Sequence, residues 1–288
     1  MSNVYDIFQG GNKPYNKEEW AAQKQAERKE AYELADTTCV AMKTDSKAFE
    51  QYLNIQGRFD RYSVTNALLV AAQMPEATQL RDYNKWKENR VYTDKKAKKV
   101  MILEPGKEYI RDDNTKAVSY NAKAVYDISQ TSAKNNANEM EPARIRDLVG
   151  AMIDASPVPF QPTDNMEIPA FYDKEQQTIF LKKGLSEEQL FVSMAREVAT
   201  AIYDFKHNKV REEVDFKTYC VAYMIGSKYG VDIGGFQFEH LPQEYAEMDT
   251  QTFKNELGSM RDVLGEINSE VYKSLEKSKA AKSKEQER

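Results

Sequence analysis

Apolar residues recur at spacings of three and four along several stretches of the chain, which is typical of helices that bury one face. Helices are therefore predicted over residues 16–42, 49–74 with an interruption near Gly57, 82–89, 142–155, 186–205, 214–228 and 253–275. Two of their ends carry clear signals. Pro75 stops the second helix, and Ser186 with Gln189 three residues later forms a capping box at the start of the fifth.

Shorter apolar runs predict strands between these helices. Residues 100–103 form a continuous apolar run closed by Pro105, and residues 118–128 alternate loosely. Residues 170–172 and 178–181 flank a polar turn, which predicts a hairpin. The proline-rich segment that precedes this hairpin is predicted to be a loop.

The order of these elements predicts an α+β fold with two domains, and 288 residues are enough for two cores of ordinary size. Residues 129–138 are polar and nearly free of apolar side chains, which indicates a linker. The C-terminal residues are charged and lack an apolar face, so they are expected to be disordered. The predicted boundaries are an N-terminal domain at residues 1–130, a linker at 131–141, a second domain at 142–276 and a disordered tail at 277–288.

Composition excludes several classes of protein. The longest apolar stretch, residues 67–74, is interrupted by Gln73 and is too short to span a bilayer. The N-terminus has neither the basic start nor the apolar core of a signal peptide. Cys39 and Cys220 are far apart and lack metal-ligand spacing, so reduced, buried thiols are expected. The chain has only 2 histidines, which excludes a histidine-rich metal site.

Charge is distributed unequally along the chain. The net charge is -5, yet residues 81–107 hold nine lysines and arginines against four acids, a local charge of +5. Residues 143–275 hold 14 basic and 22 acidic residues, a local charge of -8. Opposite charge in the two halves indicates different partners, with an anionic partner for the first half.

The basic segment also contains interleaved aromatic residues. Cations that follow phosphates and aromatic faces that stack on bases are what a protein needs to bind a single strand. The alternative is a solvated turn with tryptophan and tyrosine rings in the core, since single aromatic residues are more often buried. The predicted nucleic-acid-binding residues are Arg61, Arg81, Tyr83, Lys85, Trp86, Lys87, Arg90, Lys95, Lys96, Lys98 and Lys99.

The helix predicted over residues 186–205 contains Arg-Glu-Val-Ala-Thr at residues 196–200. Zinc peptidases carry His-Glu-x-x-His on such a helix, because histidines four residues apart grip one metal and the glutamate acts as general base. Arg196 and Thr200 stand at the two histidine positions, and Glu197 stands at that of the base. Neither replacement is an effective zinc ligand, so we expect no metal, no cofactor and no catalytic residue.

Two roles remain open for these side chains. Glu197 is either a relict general base or an ordinary helical glutamate that pairs with a nearby cation. Arg196 either fills the former metal position with its own charge or lies solvated on a polar face. Helical spacing predicts that Thr200 and Tyr203 share this polar face, opposite an apolar stripe that ends at Phe205.

Two ordered series of motifs are present. The first contains Phe-Asp-Arg-Tyr-Ser at residues 59–63, Asn-Ala-Leu-Leu at 66–69, Gln-Met-Pro-Glu-Ala-Thr at 73–78 and Tyr-Asp-Ile-Ser-Gln-Thr at 126–131. The second contains Tyr-Asp at 172–173, Gly-Leu-Ser-Glu-Glu-Gln at 184–189, the segment 196–200 and Val-Ala-Tyr at 221–223. Together they resemble the ArdC/LtrC-like antirestriction proteins of plasmids, conjugative elements and phages, over roughly residues 45–275.

This resemblance implies an N-terminal domain that binds single-stranded DNA and a C-terminal zincin-like metallopeptidase domain. The family has histidines at the positions of Arg196 and Thr200 and an acidic ligand shortly before Val-Ala-Tyr, where a lysine or tyrosine of residues 215–220 stands here. The second domain is therefore degenerate, and the peptidase activity is not carried over. The expected function is that of a non-enzymatic, single-stranded DNA-binding, antirestriction-type protein of a bacterial mobile element or phage, located in the bacterial cytoplasm.

A function of a different class remains as an alternative. The acidic second half could dock a protein, which would make the chain a pseudopeptidase adaptor with incidental lysines. The expected partners are single-stranded DNA and, as an alternative, a host defence or restriction protein, with no membrane partner.

Overall fold

The computed structural model describes residues 16–134 and 144–286, with side chains described as far as residue 281. Most of the predicted linker at 131–141 and the start of the N-terminal domain lie outside the described residues. Within the described part, long helices combine with two small sheets, so the predicted α+β class is confirmed. None of the described helices is long and apolar enough to cross a bilayer.

The described residues form nine α-helices and six strands. The helices are α1 (Lys17–Met42), α2 (Ser46–Arg58), α3 (Val64–Gln73), α4 (Tyr83–Glu88), α5 (Ile145–Ala155), α6 (Glu187–His207), α7 (Arg211–Tyr229), α8 (Gln243–Glu247) and α9 (Thr250–Gln286). The strands are β1 (Leu80–Arg81), β2 (Val100–Ile110), β3 (Lys116–Asp127), β4 (Phe160–Thr163), β5 (Ala170–Asp173) and β6 (Thr178–Lys182).

The first sheet is antiparallel, in the order β1-β3-β2. The prediction that Pro105 closes β2 is wrong, because the strand continues to Ile110 past an irregularity between Pro105 and Glu108. A bulge lets a strand absorb a proline and an extra residue without ending. Gly106 lies at this point, where an added Cβ would come within 2.7 Å of the Ser119 hydroxyl oxygen.

Helix α3 closes the outer edge of β2 with two side-chain amides. The Asn66 amide accepts a hydrogen bond from the Leu103 N–H at 2.8 Å and donates one to the Leu103 carbonyl at 2.9 Å. Gln73 does the same with Met101, at 2.9 Å for both bonds. An amide offers one acceptor and two donors, so it can satisfy a strand residue as a neighbouring strand would. The edge of β2 is therefore closed to other strands at Met101 and Leu103.

The second sheet has the order β4-β6-β5. The predicted hairpin of β5 and β6 is confirmed by their antiparallel pairing. The predicted loop before it is wrong in part, because β4 runs through this proline-rich segment and pairs parallel with β6. Proline is tolerated in β4 because this is an edge strand.

Helix α6 is buried on more sides than its sequence indicates. The predicted capping box of Ser186 and Gln189 is confirmed. However, Thr200 and Tyr203 are buried and Phe205 is 47% exposed, so the predicted polar face is wrong. The reason is that α5, α7, α9 and β5 all pack around α6. Helical periodicity distinguishes two faces and cannot show how many neighbours a helix has.

The two halves of the described chain pack against each other. Helix α2 crosses α7 at Gly57, where an added Cβ would lie 2.9 Å from the Met224 carbonyl oxygen. Buried residues of both halves belong to one hydrophobic cluster. Helix α9 continues to Gln286, through most of the segment that the sequence predicts to be disordered. Alanine, lysine, glutamate and glutamine predominate there, and all are strong helix formers.

Candidate nucleic-acid interface

A loop between α4 and β2 presents the lysine cluster predicted from the sequence. Lys95, Lys96, Lys98 and Lys99 are all exposed. The loop is anchored to the turn that follows β3, since the Asp94 N–H donates to the Gln130 carbonyl at 2.8 Å and Thr93 forms a β-bridge with Thr131. Four cations are thus held beside the sheet by backbone contacts while their side chains extend into solvent.

These four lysines take no part in an ion pair with the described residues. In contrast, Lys123 on β3 pairs with Asp82 at 3.0 Å and with Glu104 at 2.7 Å. Lys99 lies close enough to α1 to help lower the pKa of Glu27, although a hydrogen bond from Lys24 is the main cause. The charge of the lysine cluster is therefore largely uncompensated on this part of the surface.

Helix α4 and the turn after it carry further predicted cations. Lys85, Lys87 and Arg90 are exposed, as are Arg61 and Tyr83. Arg90 has a φ of 59°, in the left-handed region, and its N–H donates to the Lys87 carbonyl at 2.9 Å. This conformation ends the helix and directs the chain toward the lysine cluster.

Trp86 does not belong with the other predicted nucleic-acid-binding residues, because it is buried. Its side chain is only 3% exposed, and its indole N–H donates to the Tyr126 carbonyl at 2.9 Å. The guanidinium carbon of Arg81 lies 5.1 Å from the ring centre, over the ring face. Because the ring is enclosed by these contacts, it is not available to stack on a base. The hydrogen bond and the enclosure satisfy both the polar and the apolar part of the indole.

A cleft of about 580 Å³ lies between α4 and the first sheet. Its apolar lining consists of Tyr62, Leu80, Ile102 and Val125. Its charged lining consists of three basic residues, Arg81, Lys85 and Lys123, and three acidic residues, Asp82, Glu88 and Glu104. The pKa of Lys123 is raised mainly by its hydrogen bond to Glu104. Burial acts to lower this pKa, and the interaction with Asp82 raises it further.

Lys123 is a cleft residue that sequence reasoning missed. It lies outside the basic segment 81–107 and enters the cleft because β2 and β3 pair, which sets Lys123 opposite Ile102. No local signal in the sequence predicts this register, because it depends on the irregularity after Pro105. The neighbouring residue Tyr62 could have been found, since it belongs to the first series of motifs.

Other residues of these motifs, and Arg58 just before the first of them, serve the fold. The guanidinium of Arg58 donates to the carbonyl oxygens of Pro75 and Ala77, at 2.5 and 2.6 Å. The buried carboxylate of Asp127 accepts hydrogen bonds from the N–H groups of Thr78 and Gln79, at 2.8 and 2.9 Å. These bonds hold the connection from α3 to β1 in place. The motifs thus report mainly on how the N-terminal sheet is supported.

In the second half, Glu197 is buried and fully partnered. Both of its carboxylate oxygens contact the guanidinium of Arg211, one of them at 3.2 Å. The Tyr172 N–H donates to the same carboxylate at 2.7 Å. Arg211 is itself held over the ring of Phe171, at 4.7 Å from the ring centre. The sequence left two interpretations of Glu197, a relict general base or a helical glutamate paired with a cation. The contact with Arg211 agrees with the second.

Arg196 points to a different partner. Its guanidinium donates to Asp215 of α7 at 2.7 Å and lies 5.5 Å from the ring centre of Tyr219. Both charged side chains of this pair are substantially exposed, at 34% and 54%. The Thr200 hydroxyl donates to the Arg196 carbonyl at 3.0 Å, so it is occupied within the helix.

The side chains of Arg196 and Thr200 do not fit a zinc ion. Arginine has no lone pair to offer at neutral pH, and the threonine hydroxyl is a neutral, hydrogen-bonded oxygen. Among the described residues, no group of three or more His, Cys, Asp or Glu side chains is arranged so that it could hold a metal. Zinc sites in proteins use at least three such ligands. No reaction step through a metal can be assigned to these residues.

Comparison with known proteins gives a likeness at the level of fold. No protein-family model matches the chain, and no curated protein sequence does. The chain is similar to the metal-free crystal structure of antirestriction protein ArdC from plasmid R388, with 13% identity over 74% of this chain and 86% of that chain and a TM-score of 0.47. For the Mn(II)-bound structure of that protein, the identity is 12% over 73% of this chain and 85% of that chain, and the TM-score is 0.48.

Proposed function

We propose that this protein binds single-stranded DNA without enzymatic activity, as an antirestriction-type protein. The observation that carries the proposal is the lysine cluster, Lys95, Lys96, Lys98 and Lys99, which is exposed and has no ion pair with the described residues of an otherwise acidic protein. Such a cluster attracts a polyanion, and releasing the counterions of that polyanion favours binding.

Exposed aromatic side chains beside the cluster support a single strand as the ligand. Tyr83 is 51% exposed and Tyr92 is 59% exposed, and they lie twelve and three residues before Lys95. A base that stacks on such a ring contributes about 1–3 kcal/mol, whatever its identity. In this mechanism the cations follow the phosphates and the tyrosine rings accept bases, so the strand is covered without reading its sequence.

The absence of enzymatic activity is supported by the environment of Glu197. A general base needs a free carboxylate and a nucleophile that it can activate. The Glu197 carboxylate accepts hydrogen bonds from Arg211 and from the Tyr172 N–H, and no metal ligand flanks it in the helix. Without a metal to lower the pKa of water from 15.7 to about 7, the site lacks an adequate nucleophile.

The antirestriction role is supported by the two series of motifs that resemble the ArdC/LtrC-like family. A protein that coats incoming single strands shields them from host nucleases, and coating requires phosphate contacts more than base recognition. The acidic second half carries like charge to DNA, so we assign DNA binding to the N-terminal half alone.

The proposal is tested by measuring oligonucleotide affinity as a function of salt. For a single strand, log affinity should fall with log salt by about 0.7 for each phosphate neutralised, so four to six engaged cations give a slope of about -3 to -4. Reversal of Lys95, Lys96, Lys98 and Lys99 to Glu should weaken binding to every sequence and flatten that slope.

A matched control carries the same change of charge elsewhere. Lys183, Lys273, Lys277 and Lys279 are exposed in the second half, and their reversal to Glu should leave the slope nearly unchanged. If the two quadruple variants lose the same affinity for the oligonucleotide, the net charge of the protein, and not the lysine cluster, accounts for the attraction. A folded wild-type protein with no measurable binding at low salt would end the proposal and favour the adaptor function.

A further inference from the structure

The cleft between α4 and the first sheet has an apolar lining, which the lysine cluster lacks. Tyr62, Ile102 and Val125 line it with apolar surface, while charged groups surround that surface. Its volume of about 580 Å³ falls within the range of pockets that enclose small molecules. The cleft adjoins the end of α4, near the exposed Lys87 and Arg90, so a strand held by these cations would pass close to it.

The charges of the cleft disfavour a phosphate inside it. Three cations are matched by three acids, and Lys123 is already engaged by Asp82 and Glu104. A dianionic or anionic group would meet carboxylates as often as ammonium groups and gain little net attraction. A neutral ring with several hydrogen-bond donors and acceptors fits better, because its flat faces meet the apolar lining and its edges meet polar groups.

Arg81 supplies a flat surface at the cleft. Its guanidinium lies over the ring of Trp86, and Trp86 in turn is fixed by its hydrogen bond to the Tyr126 carbonyl. Arg81 lines the cleft, whereas Trp86 is buried and is not part of the lining. A guanidinium is planar and stacks on aromatic rings, so its second face remains suited to a further ring.

We propose that this cleft accepts one unstacked nucleobase of the bound strand, with the base packed against the open face of the Arg81 guanidinium. The inference rests on the proposed function, which it extends from phosphate binding to the capture of a base. Single-stranded DNA presents such bases at low cost, whereas in a duplex the base must first leave its stack. Trp86 acts here as a positioning residue, because it holds Arg81 without touching the base.

The test compares two strands that differ only in their bases. A deoxycytidine oligonucleotide of about twelve nucleotides, within the usual range of site sizes, is measured against an abasic strand of the same length. Arg81→Lys keeps the charge and removes the plane, so affinity for the deoxycytidine strand should fall by about 5-fold or more while affinity for the abasic strand stays the same. Asn89→Trp, which fills the cleft from its rim without changing charge, should produce the same pattern.

Two control variants lie outside the cleft lining and outside the predicted nucleic-acid-binding residues, Arg111→Lys and Asn84→Trp, and both should bind the two strands as the wild type does. Circular dichroism checks the fold, and Asn89→Trp carries the test if Arg81→Lys unfolds. The inference is overturned if folded Asn89→Trp keeps the wild-type ratio of the two affinities, or if the wild type does not prefer the strand with bases. An unchanged ratio for Asn89→Trp leaves the proposed function standing, with bases stacked on Tyr83 and Tyr92 alone. A wild type without a preference for bases keeps only the phosphate contacts of the proposed function, and loss of binding to both strands by the wild type ends both proposals.

Discussion

Arg211 neutralises Glu197 inside the second half of the protein. The two side chains lie at the start of α7 and the middle of α6, and they are 26% and 4% exposed. The Tyr172 N–H completes the partners of the carboxylate, which therefore has a cation and a backbone donor. These contacts join α6, α7 and β5, so the Glu197 carboxylate is part of the core.

The first prediction follows from this burial. Arg211→Ala leaves the Glu197 carboxylate buried and without its cation, which costs about 3–5 kcal/mol for a broken buried pair. Arg196→Ala removes a pair that is largely exposed and should cost no more than about 1 kcal/mol. Chemical denaturation of the two variants compares the free energies of unfolding.

A second substitution separates charge burial from lost packing. Adding Glu197→Gln to Arg211→Ala removes the unpaired charge, so the double variant should be more stable than Arg211→Ala alone. Equal stability of the two would show that the contact of Arg211 with the ring of Phe171, and not its charge, maintains this region.

A further expectation concerns metal content. Because Arg196 and Thr200 stand where a His-Glu-x-x-His helix has its two histidines, the purified protein should hold well below one zinc per chain, as measured by elemental analysis after purification without chelators. Stoichiometric zinc together with zinc-dependent peptide cleavage would contradict the proposed loss of enzymatic activity.

The sequence predicts best what is decided locally. Ser186 and Gln189 are three residues apart, and the capping box that they form needs no other part of the chain. Similarly, Gly230 ends α7 in the left-handed conformation that glycine adopts readily. Signals of this kind give most of the helices with boundaries that differ by a few residues, except that α8 was not predicted and α9 ends eleven residues later than predicted.

What escapes prediction depends on contacts between distant elements. The burial of Thr200 and Tyr203 results from the number of helices around α6, which periodicity does not report. Trp86 lies in a helix of six residues, too short to show which face is buried. The lysine cluster was predictable because charge and exposure coincide for lysine, whereas the cleft required the register of β2 and β3.

Asn66 provides a test of how the first sheet is held. Asn66→Leu keeps the size of the side chain and leaves the N–H and carbonyl groups of Leu103 without their partners, at a cost of about 1–3 kcal/mol for each group that stays buried. It also opens the edge of β2, so the variant should self-associate more than the wild type in size-exclusion chromatography. Asn84→Leu, on the exposed face of α4, is the control and should change stability by at most about 0.5 kcal/mol. Indistinguishable behaviour of the two variants would mean that the amide pairing is dispensable.

We expect a substitution of Trp86 to lower the free energy of unfolding, because the indole is a buried part of the fold. Trp86→Phe retains an aromatic ring but removes the donor to the Tyr126 carbonyl, which should cost about 1–3 kcal/mol. Tyr83→Ala removes an exposed ring and should leave stability within about 0.5 kcal/mol of the wild type. If Trp86→Phe were as stable as the wild type, the buried position of the indole would be in doubt.

The last prediction concerns strand preference. The lysine cluster attracts the phosphates of single and double strands alike, so charge alone does not favour unpaired DNA. Exposed rings such as Tyr83 and Tyr92 add affinity only when bases are free to stack, at about 1–3 kcal/mol for each base. We therefore expect a single strand to bind at least about 5-fold more tightly than a duplex of equal length at the same salt concentration, a ratio that fluorescence anisotropy measures directly. Replacing both tyrosines by Ala should bring the two affinities closer while the salt slope for the single strand stays the same. Tighter binding to the duplex would show that the protein recognises the denser phosphate array, and the function would then be duplex coating.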